Sequence, residues 1–207
     1  MRPNPLFAVE DPAVVAELVR ANPWATLVSE GETGIVASHY PVLLDEEAAG
    51  LTLLTHLGRP DEVVHELGGG GEMLVIVAGE HGYVSPSWYA PEALPVPTWN
   101  FTVAHCYGEP QVLGEEENLA VLARLVERFE RAVEEPRHLD PERAAPVARG
   151  TVGLRIPVGR FICKRKLSQN KDPATRRQVI AALREPGPYR HPQLAEEMER
   201  ELESKEG

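Results

Sequence analysis

With 207 residues, 43% hydrophobic and 26% charged, the chain has the composition of one soluble globular protein large enough to bury a core. A net charge of −11 argues against sequence-independent nucleic-acid binding, which depends on Lys and Arg neutralising phosphates. The two cysteines, Cys106 and Cys163, are too few for a disulfide framework, and no apolar run approaches membrane-spanning length. Buried free thiols are expected, and because MRPNPLFAVE shows no signal-peptide pattern, so is a cytoplasmic protein with no membrane contact.

In chain order, Asp11-Pro12 pairs a helix cap with a first-turn proline, and Val14, Val15, Leu18 and Val19 form the apolar stripe of a first helix. Trp24 to Ser29 and Gly34 to Pro41 are β-rich runs joined by an EGET turn, which reads as a hairpin. After a polar turn at Asp45 to Gly50, Leu51 to His56 is a third strand. Pro60 to Leu67 then suits a short helix ended by Gly68 to Gly71. The continuous apolar run Met73 to Gly79 suits a central strand. Thr98 to Leu113 reads as one long strand, with Trp99, Phe101, Val103 and His105 on one face and Thr98, Asn100, Thr102 and Ala104 on the other. Glu115 to Val133 is the best helix, with an acidic first turn and Leu119, Leu122, Val126 and Phe129 sharing a face. A polar connector with a weak helical turn, Pro136 to Ala148, leads to a last strand from Thr151 to Cys163. Two helices follow, from Pro173 to Arg184 and from Pro192 to the end, the second with Leu194, Met198 and Leu202 as a stripe. Short-turned strands interrupted by a few helices predict a mainly β fold, a closed antiparallel barrel with helices packed outside it.

Two stretches stand out as candidates for function. Tyr83 to His105 holds two of the three tryptophans, Trp88 and Trp99, among prolines that fix its backbone. It reads as a rigid wall for a planar ligand or as an aromatic plug of the core. The other is KRKLSQNK, Lys164 to Lys171, the one dense basic cluster in an acidic chain. Its cations, interleaved with Ser168, Gln169 and Asn170, suit a phosphate or other anionic group, though a solvated face also uses such residues. Arg59, just after His56, is a possible second anchor.

Other chemistry finds little support. Ser38 and His39 are adjacent on a strand and point to opposite faces, so they make no nucleophile pair. Seven histidines show no HxxxH or HxH spacing beside a carboxylate or cysteine, which argues against a tight zinc site. A single axial haem ligand needs no spacing motif, and His65 and His56 are the candidates for that role. The four-glycine run lacks GxGxxG spacing and is no dinucleotide fingerprint.

SHYP (Ser38 to Pro41), LTLLTHLGR ending at Arg59, YVSPSWY (Tyr83 to Tyr89), VPTWNF (Val96 to Phe101), HCYG (His105 to Gly108) and KRKLSQNK, in this order and spacing, resemble the PaiB family. This is a family of FMN-binding negative transcriptional regulators among the split-barrel flavoproteins related to pyridoxamine-phosphate oxidase. The resemblance implies a six-stranded antiparallel split β-barrel, a homodimer, and FMN in a groove between the subunits. It places the barrel at 1–170 and a helical extension, packed on the barrel or the partner subunit, at 171–207. It further implies that Ser38 and His39 lie beside the flavin, and that His56 and Arg59 sit near its phosphate or ribityl chain. Trp88, Trp99 and Asn100 would line the ring pocket, and Lys166, Ser168, Gln169 and Asn170 would close it, with Lys166 and Arg59 neutralising the phosphate. A flavin-dependent oxidoreductase or a ligand-linked negative regulator is expected. The sequence shows no helix-turn-helix, so regulation is expected to be indirect, without direct DNA binding. The chain departs from the family at Arg59 to Val64, where a segment like RANPxW is expected. That departure opens an alternative. Some relatives resemble haem-dependent piperazate synthases, which close an N–N bond in N-hydroxyornithine, and the cofactor would then be haem b.

Overall fold

The computed structural model describes residues 1–2, 4–32, 34–92 and 94–204. The EGET turn includes Thr33, the proline-rich wall includes Ala93, and the last expected helix runs into 205–207; those positions lie outside the described residues.

Strand β1 (Ala8–Val9) precedes helix α1 (Pro12–Ala21), which buries Val15, Leu18 and Val19 from the expected stripe. Strands β2 (Trp24–Gly31) and β3 (Gly34–Pro41) form the expected hairpin, paired from Trp24↔Pro41 to Gly31↔Gly34. A short β4 (Leu43–Leu44) is followed by β5 (Thr52–Gly58), which runs directly into helix α2 (Arg59–Val64). Next come β6 (Met73–Val84), a single 3-10 turn at Pro86–Trp88, β7 (Thr98–Gly108) and β8 (Gln111–Val112). The chain continues with α3 (Glu115–Glu130), α4 (Pro141–Ala148), β9 (Thr151–Pro157), β10 (Arg160–Lys166), α5 (Pro173–Arg184) and α6 (Pro192–Glu203). The strands form a six-stranded sheet, β1-β10-β7-β6-β2-β3, and a four-stranded sheet, β4-β5-β9-β8. This is the mainly β architecture with flanking helices read from the sequence.

Three expected elements differ in continuity or in the face they bury, each for a physical reason. The long strand from Thr98 breaks before Pro110, which has no N–H to give a ladder. At Gly108 a Cβ would strike the carbonyl of Pro157, so only glycine admits that approach. The strand expected from Thr151 to Cys163 is two strands in different sheets, broken at Pro157. The corner is satisfied by Val158 N–H on Leu51 O (2.9 Å) and Gly159 N–H on Tyr107 O (3.0 Å). Helix α3 buries Asn118, Val121 and Leu125, while Phe129 is 44% exposed. The apolar stripe alone points to a different face. The structure turns Asn118 inward because its Nδ2 donates to Ala148 O (3.2 Å) and Thr151 Oγ1 (3.0 Å).

The chain divides into two compact units, Pro12–Val77 with His105–Phe161, and Met1–Asp11 with Ala78–Ala104 and Ile162–Gly207. In the first, Leu54, Val121 and Leu125 form an apolar cluster under α3, and Leu53, Leu57, Leu154 and Ile156 are fully buried. In the second, α5 and α6 bury Val179, Ile180, Leu183, Leu194, Met198 and Leu202 together with Val84, Tyr89 and Leu167. Each such side chain contributes about 1.5–3 kcal/mol, so the two helices are held by packing, not by propensity alone. Both cysteines are buried. No helix among the described residues is long and apolar enough to cross a membrane.

Candidate functional site

In the unit built on the β2–β3 hairpin, strand alternation sends Ser38 and His39 in opposite directions, as read from the sequence. His39 faces outward and stacks on Trp24, with ring centroids 6.4 Å apart and an interplanar angle of 18°. Ser38 faces inward, where its Oγ meets His65 Nε2 at 3.0 Å, while Ser29 Oγ meets Nδ1 of the same ring at 2.7 Å. Ser29 and Ser38 lie on one face of the hairpin, since Leu27 pairs with Ser38 and residues two apart share a face. His65 is only 4% exposed, and burial lowers its pKa against the opposing pull of Asp61. Both its ring nitrogens are engaged, which leaves it no lone pair for a haem iron.

Tyr40, two residues after Ser38, donates from its hydroxyl to Asp61 Oδ2 (2.9 Å) and accepts from Gly58 N–H (3.1 Å). These bonds and the His65 bridge tie the short helix α2 to β3. His56, on β5, meets the Tyr40 ring edge-on at 5.9 Å. Its Nδ1 is buried with no hydrogen-bond partner among the described residues, and burial lowers its pKa. Arg59 opens α2; its Nη1 donates to Glu62 Oε2 (2.6 Å) and its Nε to Arg149 O (3.3 Å). It borders a cavity of about 310 Å³ walled by Leu113, Leu119, Ala148 and Val152.

The other unit carries the aromatic wall and the basic segment. Trp88 closes the 3-10 turn, which Ser85 caps by accepting Ser87 N–H at 3.2 Å. Trp99 is 55% exposed and meets Tyr83 edge-on at 6.4 Å. Tyr189, on the connector between α5 and α6, sits 4.9 Å from the Tyr83 ring and 6.4 Å from Trp88. The wall therefore has four rings, of which Tyr83 and Tyr189 were not singled out from sequence. No local motif marks Tyr189; only the folding of α5 against α6 brings it there.

Behind the rings, the polar face of β7 is the buried one. Asn100 Nδ2 donates to Ser168 Oγ at 2.9 Å and to Met198 Sδ at 3.3 Å, and Thr102 Oγ1 donates to Glu197 Oε2 at 2.8 Å. Ser168 is 2% exposed and holds φ of 64°, a left-handed turn stabilised by that pair. Gln169 spans the same turn, accepting Leu167 N–H and donating to Arg165 O, both at 2.7 Å. Lys166 directs its ammonium to Thr98 Oγ1 and to Trp99 O (2.8 Å), and burial lowers its pKa. Of the KLSQN residues expected to close a pocket, Asn170 is exposed, whereas Ser168, Gln169 and Lys166 brace the backbone of the wall.

Residues 1–160 match the model of a family described as a putative FMN-binding domain. The chain belongs to this family. It is also 28% identical over 199 residues, 95% of each chain, to the protein named protease synthase and sporulation protein PAI 2 of Bacillus subtilis (strain 168). The PaiB resemblance carried by SHYP, SPSWY, PTWNF and KLSQN thus holds along the chain. Among solved structures, the FAD and haem binding protein of Mycobacterium smegmatis aligns with TM-score 0.60 and 18% identity, covering 88% of this chain and 81% of that one. The flavocytochrome Anf3 of Azotobacter vinelandii aligns with TM-score 0.63 and 14% identity, covering 84% and 77%. At these identities the likeness is one of fold, the split barrel shared by flavin-binding proteins.

Proposed function

We propose that this member of the FMN-binding domain family is a homodimeric split-barrel flavoprotein that holds FMN without a covalent link. The observation that carries the reading is the group of rings in which Trp99 and Tyr189 are exposed and Tyr83 and Trp88 half-buried, framed by a proline-stiffened backbone. Rings left open on a rigid wall suit a planar cofactor, because stacking needs little side-chain ordering. Of three buried side-chain nitrogens without partners among the described residues, at His56, Arg165 and Arg176, Arg165 Nε lies in the same unit as these rings, on the basic segment, and a ligand atom there would complete its missing hydrogen bond.

In this reading Trp88 and Trp99 cover the ring system. Asn100, Ser168, Gln169 and Lys166 act by holding the wall in place, and Asn170 faces the ligand. Bound FMN supplies electron transfer, while protein groups set its orientation and environment. The PaiB resemblance supports two uses of that cofactor, reduction or oxidation of a small substrate and ligand-linked negative regulation of transcription. A net charge of −11 favours regulation through a ligand or protein partner over direct DNA contact.

A second copy of the chain is the partner proposed for the outer face of the β2–β3 hairpin, β3 being the end strand of the six-stranded sheet, where Ile35 near one end is 78% exposed and Trp24, stacked on His39 towards the other, 63%. The test is the absorption spectrum of the purified protein incubated separately with FMN, FAD and haem, with mass by light scattering. A retained yellow chromophore on a particle of twice the chain mass supports the reading. A Soret band in place of flavin absorption, or no retained chromophore, counts against it.

A further inference from the structure

We infer that Arg165, rather than Lys166, is the residue of the basic segment that binds the phosphate of the cofactor. This rests on the flavin reading above and assigns its anionic end. The other cations of the segment are engaged elsewhere. Lys166 donates to Thr98 Oγ1 and Trp99 O, Lys164 lies over the Phe7 and Phe101 rings at 5.7 Å each, and Lys171 lies over Tyr89 at 4.5 Å. Arg165 differs from all three. Its Nε is buried and has no acceptor among the described residues, and the ion pairs of those residues include no carboxylate for it.

The guanidinium is also well placed by its backbone. Arg165 N–H donates to Phe7 O at 2.8 Å, and Arg165 O accepts from Gln169 Nε2 at 2.7 Å, so the residue is clamped from both sides. On the same strand face, burial pushes the Cys163 thiol up to about 11, against the pull of the Arg165 charge. A partly buried guanidinium with a donor lacking an acceptor is costly unless an anion completes it. Its planar fork matches the oxygens of a phosphate monoester, which a lysine ammonium meets only as a point charge. Gln169, which the sequence suggests as a ligand contact, becomes the group that holds the Arg165 backbone in position.

The experiment compares FMN, riboflavin and inorganic phosphate on the full chain by calorimetry and thermal shift. The wild-type protein should prefer FMN over riboflavin. Arg165→Gln should reduce that preference by about tenfold or more while leaving riboflavin affinity nearly unchanged, a size typical of a charge-assisted bidentate contact. Arg165→Lys, which keeps the charge and serves if the glutamine variant folds poorly, should retain part of the preference. Lys166→Met should weaken FMN and riboflavin alike, through the wall it braces. An FMN preference that survives Arg165→Gln and disappears in Lys166→Met overturns the assignment, as does equal wild-type affinity for the two flavins. If the wild-type chain takes up no flavin, the flavin reading fails by itself. Arg165 is then judged on phosphate alone: stabilisation by phosphate that Arg165→Gln abolishes supports the anion site, and no stabilisation refutes it.

Discussion

Asn100 on β7 and Ser168, 68 residues further along the chain, hydrogen-bond to each other in the interior at 2.9 Å. The pair fixes the left-handed turn at Ser168 directly behind the exposed ring of Trp99. Removing either partner strands the other in a buried setting, so Asn100→Ala and Ser168→Ala should each lower unfolding free energy by about 1–3 kcal/mol. The double variant should lose less than the sum, because nothing is then left unpaired. Urea unfolding of the three variants decides it; strict additivity would mean the two groups do not act as a pair.

His65 makes the stability of the protein depend on pH. Burial lowers its folded pKa below the ordinary value of 6.5, so the unfolded chain takes up the proton first as pH falls. Its contribution is complete above pH 6.5 and is lost as pH drops from there through the folded value; His56, also lowered by burial, adds in the same direction. His65→Gln should therefore lose less stability than wild type between pH 7.5 and 5.5, measured by urea unfolding at both values. An equal loss in the variant would show that other groups carry the dependence.

Arg176 on α5 and Glu201 on α6 form an ion pair with side chains 5% and 9% exposed. Breaking it from one side leaves a buried charge, so Glu201→Ala should cost about 3–5 kcal/mol. Replacing both residues with apolar ones of similar size should recover most of that loss. Thermal unfolding distinguishes this from a surface pair, for which either change would be within about 1 kcal/mol.

Trp99 supplies the most open ring of the wall. Trp99→Ala should weaken flavin binding by about 1 kcal/mol, roughly fivefold, with a smaller loss in Tyr189→Ala, whose ring meets Trp88 and Tyr83. Fluorescence titration measures both. An unchanged affinity in Trp99→Ala would remove the ring wall from the site.

Much of this was legible in the residues themselves. Alternation in Thr98 to Ala104 separated the exposed rings from the buried polar set, and the four-residue spacing of Leu194, Met198 and Leu202 marked the buried face of α6. What escaped depended on contacts between distant segments. Pro157 reads as one more residue of an apolar run until its neighbours show that the chain turns there into another sheet. The inward face of α3 is set by Asn118, whose Nδ2 donates to the Ala148 and Thr151 carbonyls, contacts that no helical periodicity reveals. Likewise the polar letters of KLSQN suggest ligand contacts, yet Ser168, Gln169 and Lys166 are occupied with the protein's own backbone and with Asn100. Composition shows which groups can make hydrogen bonds; only the fold shows where those bonds go.

The most direct measurement is a calorimetric titration of the purified chain with FMN, followed in parallel by tryptophan fluorescence. Stacking on the open rings predicts saturable binding of one FMN per chain with strong quenching of the tryptophan signal. Heat and fluorescence that stay flat through millimolar FMN would contradict the account.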